Sequence, residues 1–272
     1  MQENRWRITV VEHCYFKDVA RGQSYYGAHN NKNADETADQ PANISVIQGY
    51  GHNILLDTGF SSPHFVEMCN AQNLLTPEEY LAPAGIGCED IDTVIISHMH
   101  YDHADQIDRF PNAQVYVQEK EYEGWKAALQ LPDKFSLITC YLEEHTMEKF
   151  LRIEAEGRLH VVGDETEVFP GIRLYLTPGH SFGCQTVLVQ TERGPVALCA
   201  DAAYTVENVT QMVPMGYGLD QLDMLKSFDR IWTLVQGKAE NIVPGHDLNW
   251  PDRYSGTYTL QGKVNRVTRL GD

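Results

Sequence analysis

The run His98-Met99-His100-Tyr101-Asp102-His103 places four side chains able to bind a metal within six residues, directly after an apolar, β-branched stretch at 93–96. Imidazole nitrogen and carboxylate oxygen are ligands zinc accepts readily, and a catalytic zinc keeps one coordination position open for water. A buried strand ending in such a loop turns these side chains toward a common centre. A hydrophilic surface turn is the plain alternative, but three histidines and an aspartate at this spacing seldom coincide by chance. His180 and His246 share a second setting, each following an apolar run and a Pro-Gly pair. There the proline fixes the approach and the glycine permits a tight turn. Asp201 ends a further apolar run. Each of these alone would pass as a hydrogen-bonded structural residue; together, four strand ends present ligand-type side chains. The remaining histidines (His13, His29, His52, His64, His145 and His160) lack this arrangement and are assigned no metal.

The elements that must position these residues are legible around them. Residues 44–47 and 54–56 read as a hairpin about Gly49-Tyr50-Gly51, ending at Asp57-Thr58-Gly59. Ser62-Pro63 opens a helix to about residue 70, and Thr76-Pro77-Glu78-Glu79 opens another with a capping-box glutamate. Residues 93–96 form a buried strand, 114–117 a further strand, and helices are expected from 119 and over 141–151. The second half repeats the theme: a strand at 172–176, then a hairpin of 186–189 and 196–199 around Arg193-Gly194. Leu222, Leu225, Phe228, Ile231, Trp232 and Val235 fall at helical spacing before Gly237, and 241–243 is a last strand. Residues 10–43 are the least regular. The stretch 12–43 reads as a long polar arm or lid, with Tyr25 and Tyr26 expected to close over the site. With no low-complexity linker, residues 1–272 are expected to form one domain.

Whole-chain composition narrows the function classes. The net charge of −17 repels phosphate backbones, so no nucleic-acid partner is expected, while bound divalent metals still allow a small anionic substrate. No run approaches the length of a membrane span, and the polar start lacks a leader's apolar core, which predicts a cytoplasmic protein without membrane partners. The six scattered cysteines form no C-x-x-C pair and read as free thiols. The expected partner is a small-molecule substrate, with a homodimer as the expected assembly.

His98-x-His100-x-Asp102-His103 followed by His180, Asp201 and His246 resembles the metallo-β-lactamase superfamily over residues 44–246. The resemblance implies an α/β (α+β) fold, an αββα sandwich of two mixed β-sheets flanked by helices. It also implies that Asp57 supports the metal loop from behind. Thr177-Pro178-Gly179-His180-Ser181, Asp201-Ala202-Ala203-Tyr204-Thr205 and Pro244-Gly245-His246-Asp247 are similar to the N-acyl-homoserine-lactone lactonases and 4-pyridoxolactonase. Carried over, this implies two divalent metal ions, zinc by the ligand set. One lies on His98, His100 and His180, the other on Asp102, His103 and His246, and Asp201 bridges them. It further implies that Tyr204 binds the substrate's carbonyl or ring oxygen and that Asp102 shuttles a proton to the leaving oxygen; a packed core tyrosine is the alternative for Tyr204.

Zinc lowers the pKa of bound water from about 15.7 toward about 7, and two ions about 3.5–4 Å apart can divide carbonyl polarisation from leaving-group stabilisation. The expected function is therefore a dinuclear-metal hydrolase, a lactonase opening a small cyclic ester by attack of metal-bound hydroxide, with a quorum-quenching role implied by the resemblance. The alternative on the same metals is hydrolysis of a cyclic amide or imide, a thioester or a phosphodiester. A binding or sensor protein without turnover fits an open coordination position poorly. A redox di-iron protein fits poorly too, because those relatives usually carry a carboxylate where this chain has His100. Three departures from the lactonase pattern bear on substrate. Asp105-Gln106 stands where relatives commonly have two glycines, Cys184 where many have a second histidine, and the arm is polar where acyl-chain binders need apolar walls.

Overall fold

Alternation along the strands sorts the apolar residues into two layers. Ile8 and Val10, Ile54 and Leu56, and Ile95 face a core shared with the second sheet, whereas Val11, Leu55 and Val94 face helices on the opposite side. A strand that is apolar on both faces must be covered twice, and the result is a sheet packed between another sheet and a helical layer. The computed structural model describes residues 5–27 and 36–271; residues 28–35, with His29 and the middle of the predicted arm, lie outside the described residues.

The first sheet contains β1 (Arg7–Ala20), β2 (Thr37–Gly49), β3 (His52–Leu56), β4 (Ala71–Gln72), β5 (Thr93–Ile95), β6 (Gln114–Gln118) and β7 (Leu159–Val162). The second contains β8 (Glu165–Phe169), β9 (Ile172–Leu176), β10 (Gln185–Thr191), β11 (Gly194–Ala200) and β12 (Ile242–Pro244). The chain then returns to the first sheet through β13 (Thr257–Thr259) and β14 (Arg266–Leu270). Its order is β13-β14-β1-β2-β3-β5-β6-β7, with β4 on β1, and the second sheet's is β12-β11-β10-β9-β8. Both sheets mix parallel and antiparallel pairs, and helices flank them, as expected of an αββα sandwich. Because β3, β5 and β6 run parallel, and β9, β11 and β12 share a direction, their carboxyl ends gather along common edges. Carboxyl ends of parallel strands are where open α/β sheets build their sites.

Among the helices, α1 (Arg21–Ser24), α2 (Pro63–Met68), α3 (Pro77–Leu81) and α4 (Tyr101–Ala104) are short; α5 (Glu119–Ala128), α6 (Thr146–Ala155), α7 (Val206–Gln211) and α8 (Gln221–Leu234) follow. The capping box at Thr76 forms as expected, with Glu79 N–H donating to Thr76 Oγ1 and Thr76 N–H to Glu79 Oε2. α8 buries Met224, Phe228 and Ile231 against the second sheet and stops at Gly237, whose φ is +72°.

Two expectations need correction. The stretch read as irregular is mostly strand: β1 runs to Ala20 and β2 begins at Thr37, paired through Ala20 and Thr37. Beyond Phe16 this ribbon has no sheet to cover, so its residues (Lys17, Asp18, Ala38, Asp39) lack the apolar alternation by which strands are recognised. The helix expected over 141–151 starts instead at Thr146, because Tyr141 is held in a loop by Tyr101 N–H donating to its carbonyl at 2.8 Å. Among the described residues, no helix is long and apolar enough to cross a membrane.

Candidate metal centre

The first ligand loop is built from behind. Asp57 sits in the left-handed region (φ +64°) at the end of β3, and its carboxylate accepts Ser97 N–H at 2.7 Å and Ser97 Oγ–H at 2.8 Å. The same carboxylate lies 2.7 Å from His103 Nδ1, so His103 presents Nε2 forward. Ser97 Oγ also lies 3.0 Å from His98 Nδ1, which turns His98 Nε2 the same way. Gly59 follows with φ +70°, and a Cβ there would come 2.7 Å from the His13 ring. The single turn α4 then buries Asp102 and His103 together. Second partners of this kind fix ring orientation and tautomer in metal sites.

The distant ligand candidates arrive by close backbone approach. A Cβ on Gly179 (φ +121°) would meet Met224 N at 2.4 Å, so the turn carrying His180 packs directly on α8. A Cβ on Gly245 would meet Asp201 Oδ1 at 2.6 Å and Ala200 O at 2.7 Å. The second Pro-Gly-His therefore needs its glycine for space beside Asp201 rather than for a left-handed turn. His246 Nδ1 lies 2.8 Å from the Pro41 carbonyl of β2, a support that no side-chain pattern could have revealed.

All seven predicted side chains converge. They form two buried groups, His98-His100-His180 and Asp102-His103-Asp201-His246, whose ligand-type atoms lie within 4.8 Å of one another in each group. Asp201 faces both: Oδ2 lies 3.3 Å from His180 Nε2 and 3.9 Å from His98 Nε2, and Oδ1 lies 3.0 Å from His246 Nε2 and 3.3 Å from His103 Nε2. His180 Nε2 also lies 3.0 Å from His100 Nδ1.

Fit to a metal pair is tested by what these atoms lack. His98 Nε2, His103 Nε2 and Asp201 Oδ1 are buried without a hydrogen-bond partner. Buried polar atoms are almost always paired, so these orphans, one imidazole nitrogen in each group and an oxygen of the aspartate between them, ask for cations. Burial and the neighbouring His103, His100 and His180 hold His98 well below its ordinary range, and burial foremost lowers His100 to about 3 and His180 to about 4. These imidazoles are thus in the neutral, ligating form. Around Asp201, burial would raise the carboxyl, but His246 and His103 outweigh it and keep the group ionised.

Tyr204 has its ring 4.8 Å from that of His246 and 5.5 Å from that of His180, across the two groups. It lines a cavity of about 380 Å³ together with His100, Asp102, Asp201, Tyr141 and Tyr217. The arm also lines it, through Phe16, Lys17, Gln23 and Gln40. Tyr25 and Tyr26 are not among the described lining residues. Tyr25 Oη donates to Glu207 at 2.9 Å and Tyr26 N–H to the Pro214 carbonyl at 2.7 Å, which docks them beside α7 rather than over the centre. Asp105 is likewise turned aside, accepting Ser61 N–H at 2.9 Å and paired with Lys149 at 2.9 Å.

Residues 38–246 match the family model described as "Metallo-beta-lactamase superfamily". The chain belongs to that superfamily. Within it, the chain is 34 % identical over 169 residues to an N-acyl homoserine lactonase of Bacillus cereus, covering 62 % of this chain and 60 % of that one. It is 31 % identical over 173 residues to N-acyl homoserine lactonase AttM of Azorhizobium caulinodans, covering 61 % and 62 %. The matched region thus spans less than two thirds of these curated relatives' length. Among solved structures it resembles an N-acyl homoserine lactone hydrolase with the product N-hexanoyl-L-homoserine bound at the catalytic metal center. That match has 26 % identity and a TM-score of 0.70, covering 92 % of this chain and 95 % of the other. The superfamily and the His/Asp cluster together fit a dinuclear divalent metal site.

One buried carboxylate beside the ligand loops carries no sign in the sequence. Glu121, in the first turn of α5, is fully buried and accepts four hydrogen bonds from the ligand loops and their surroundings. Its sequence context, Glu119-Lys120-Glu121-Tyr122-Glu123, looks like a solvated helix face.

Proposed function

We propose that the chain hydrolyses a lactone, opening a cyclic ester to a hydroxy acid. His98, His100 and His180 would hold one divalent ion and Asp102, His103 and His246 the other, with Asp201 shared. Five imidazoles with two carboxylates favour zinc. When bound, such a pair supplies Lewis acidity and a water of lowered pKa. The observation that carries the reading is the division of Asp201's two oxygens between the groups, with the Tyr204 ring 4.8 Å from that of His246.

The chain's own groups fit the remaining tasks. Burial, together with the charges of Asp201 and Asp102, raises Tyr204 well above 10, so its phenol stays protonated. It serves as a hydrogen-bond donor to the lactone's carbonyl or ring oxygen rather than as a base. Burial would raise Asp102 as well, but His103 prevails and holds it below its ordinary value. An ionised Asp102 lining the cavity can take a proton from the attacking water and return it to the ring oxygen as the acyl C–O bond breaks. The relatives' names point to the same reaction, with acyl homoserine lactones as one candidate class and quorum quenching as the consequence. A panel of lactones, cyclic amides, thioesters and phosphodiesters offered to zinc-loaded protein tests this. Ring opening of lactones is expected; a cyclic amide turned over while every lactone is refused contradicts it.

A further inference from the structure

Resting on the two-metal reading above, we propose that Glu121 is a positioning residue for one half of the centre only, the three-histidine group. Its Oε1 accepts Met99 N–H and Trp125 Nε1–H, both at 2.7 Å. Its Oε2 accepts Ser181 Oγ–H at 2.8 Å and Gly183 N–H at 2.7 Å. Met99 lies between His98 and His100, and Ser181 follows His180, so one carboxylate ties together the two loops that carry this group. Four donors around one buried group suit a carboxylate ion, which offers acceptors on both oxygens and needs no donor of its own.

The contact is built into the backbone as well. A Cβ on Gly183 would meet Glu121 N at 2.3 Å, and a Cβ on Gly124 would meet the Phe182 side chain at 2.5 Å. Two glycines thus let the 181–183 loop lie directly on α5. The other half has partners of its own: His103 is held by Asp57 at the end of β3, and His246 by the Pro41 carbonyl of β2. Glu121 accepts no hydrogen bond from either of those residues or from Asp102. The two halves therefore rest on different carboxylates, linked through Ser97, whose Oγ bonds Asp57 and lies 3.0 Å from His98 Nδ1.

The test is zinc release from the full-length loaded protein, titrated with a chelator and followed by elemental analysis. Wild type is expected to hold two ions per chain; fewer would refute the two-metal reading itself rather than the role of Glu121. Changing an outer partner of a ligand typically weakens metal binding about 10–100-fold. Glu121→Gln should accordingly release one ion at about 10–100-fold lower chelator concentration and leave the other in place. Asp57→Asn should loosen chiefly the ion on the Asp102 side, because Asp57 contacts His103 directly and His98 only through Ser97, and the double variant should lose both. Both ions shifting together in Glu121→Gln, no shift at all, or a double variant that still keeps one ion would overturn the proposal. Should Glu121→Gln fail to fold, Trp125→Phe and Ser181→Ala each remove one donor. Each must then give a smaller shift confined to one ion, and wild-type release from both would equally overturn it.

Discussion

Tyr204 separates chemistry from metal binding more cleanly than any other side chain of the site. Its ring touches the histidines of both groups, yet it belongs to neither. Tyr204→Phe keeps the ring and deletes only the donor, and losing one such donor typically lowers kcat about 10²–10³-fold. We expect a loss of that order in lactone turnover with two metals still bound; unchanged turnover would return Tyr204 to the role of a packed core residue. At this scale the sequence was most informative where ligands follow strands. The four in 98–103 are neighbours in the chain, and His180, Asp201 and His246 each carry a local sign in the apolar run before them. Glu121 carried none, because a buried carboxylate and a solvated one have the same letter and differ only in what reaches them. The Pro41 carbonyl was illegible for a simpler reason, being backbone. Asp105, which looked like an added carboxylate at the site, is neutralised by Lys149 instead.

The elements deliver these residues by close packing at glycines, and the tolerance there is small. Gly245→Ala places a methyl about where Asp201 Oδ1 must lie, since the ideal Cβ would come within 2.6 Å of it. Because Asp201 faces both groups, the expected outcome is weaker binding of both ions with the circular dichroism spectrum of the fold retained. Wild-type affinity for both would contradict this account of why glycine precedes His246. Sheet and helix were legible wherever a period of two or 3.6 reached a core: β3, β5, β10, β11 and α8 fall close to where their apolar residues put them. The β1–β2 ribbon beyond Phe16 and β13 were not, for different versions of one cause. The ribbon projects past the sheet's covered area, and β13 is largely exposed. Residues that bury little apolar surface leave no pattern, although Lys17 to Ala20 still wall the cavity.

For the whole molecule, acid is the expected point of weakness. His13 is buried under Gly59, Phe60 and Tyr80 with both ring nitrogens unpartnered, and burial lowers it from 6.5 to about 4. The unfolded chain takes up that proton near pH 6.5 and the folded chain only near 4. Stability is thus full above the upper value and falls as pH drops through the interval, by about 3 kcal/mol once complete. His13→Leu should flatten the fall in denaturation free energy between pH 6.5 and 4, whatever constant offset the substitution adds. An unchanged slope would contradict it. Within a chain of net charge −17, the centre's five imidazoles and two carboxylates are suited to a positive pair of ions. Anomalous diffraction from zinc-loaded crystals would locate those ions. Two peaks are expected on either side of Asp201, one among His98, His100 and His180 and one among Asp102, His103 and His246. A single peak, or none within reach of these side chains, would contradict a two-metal centre.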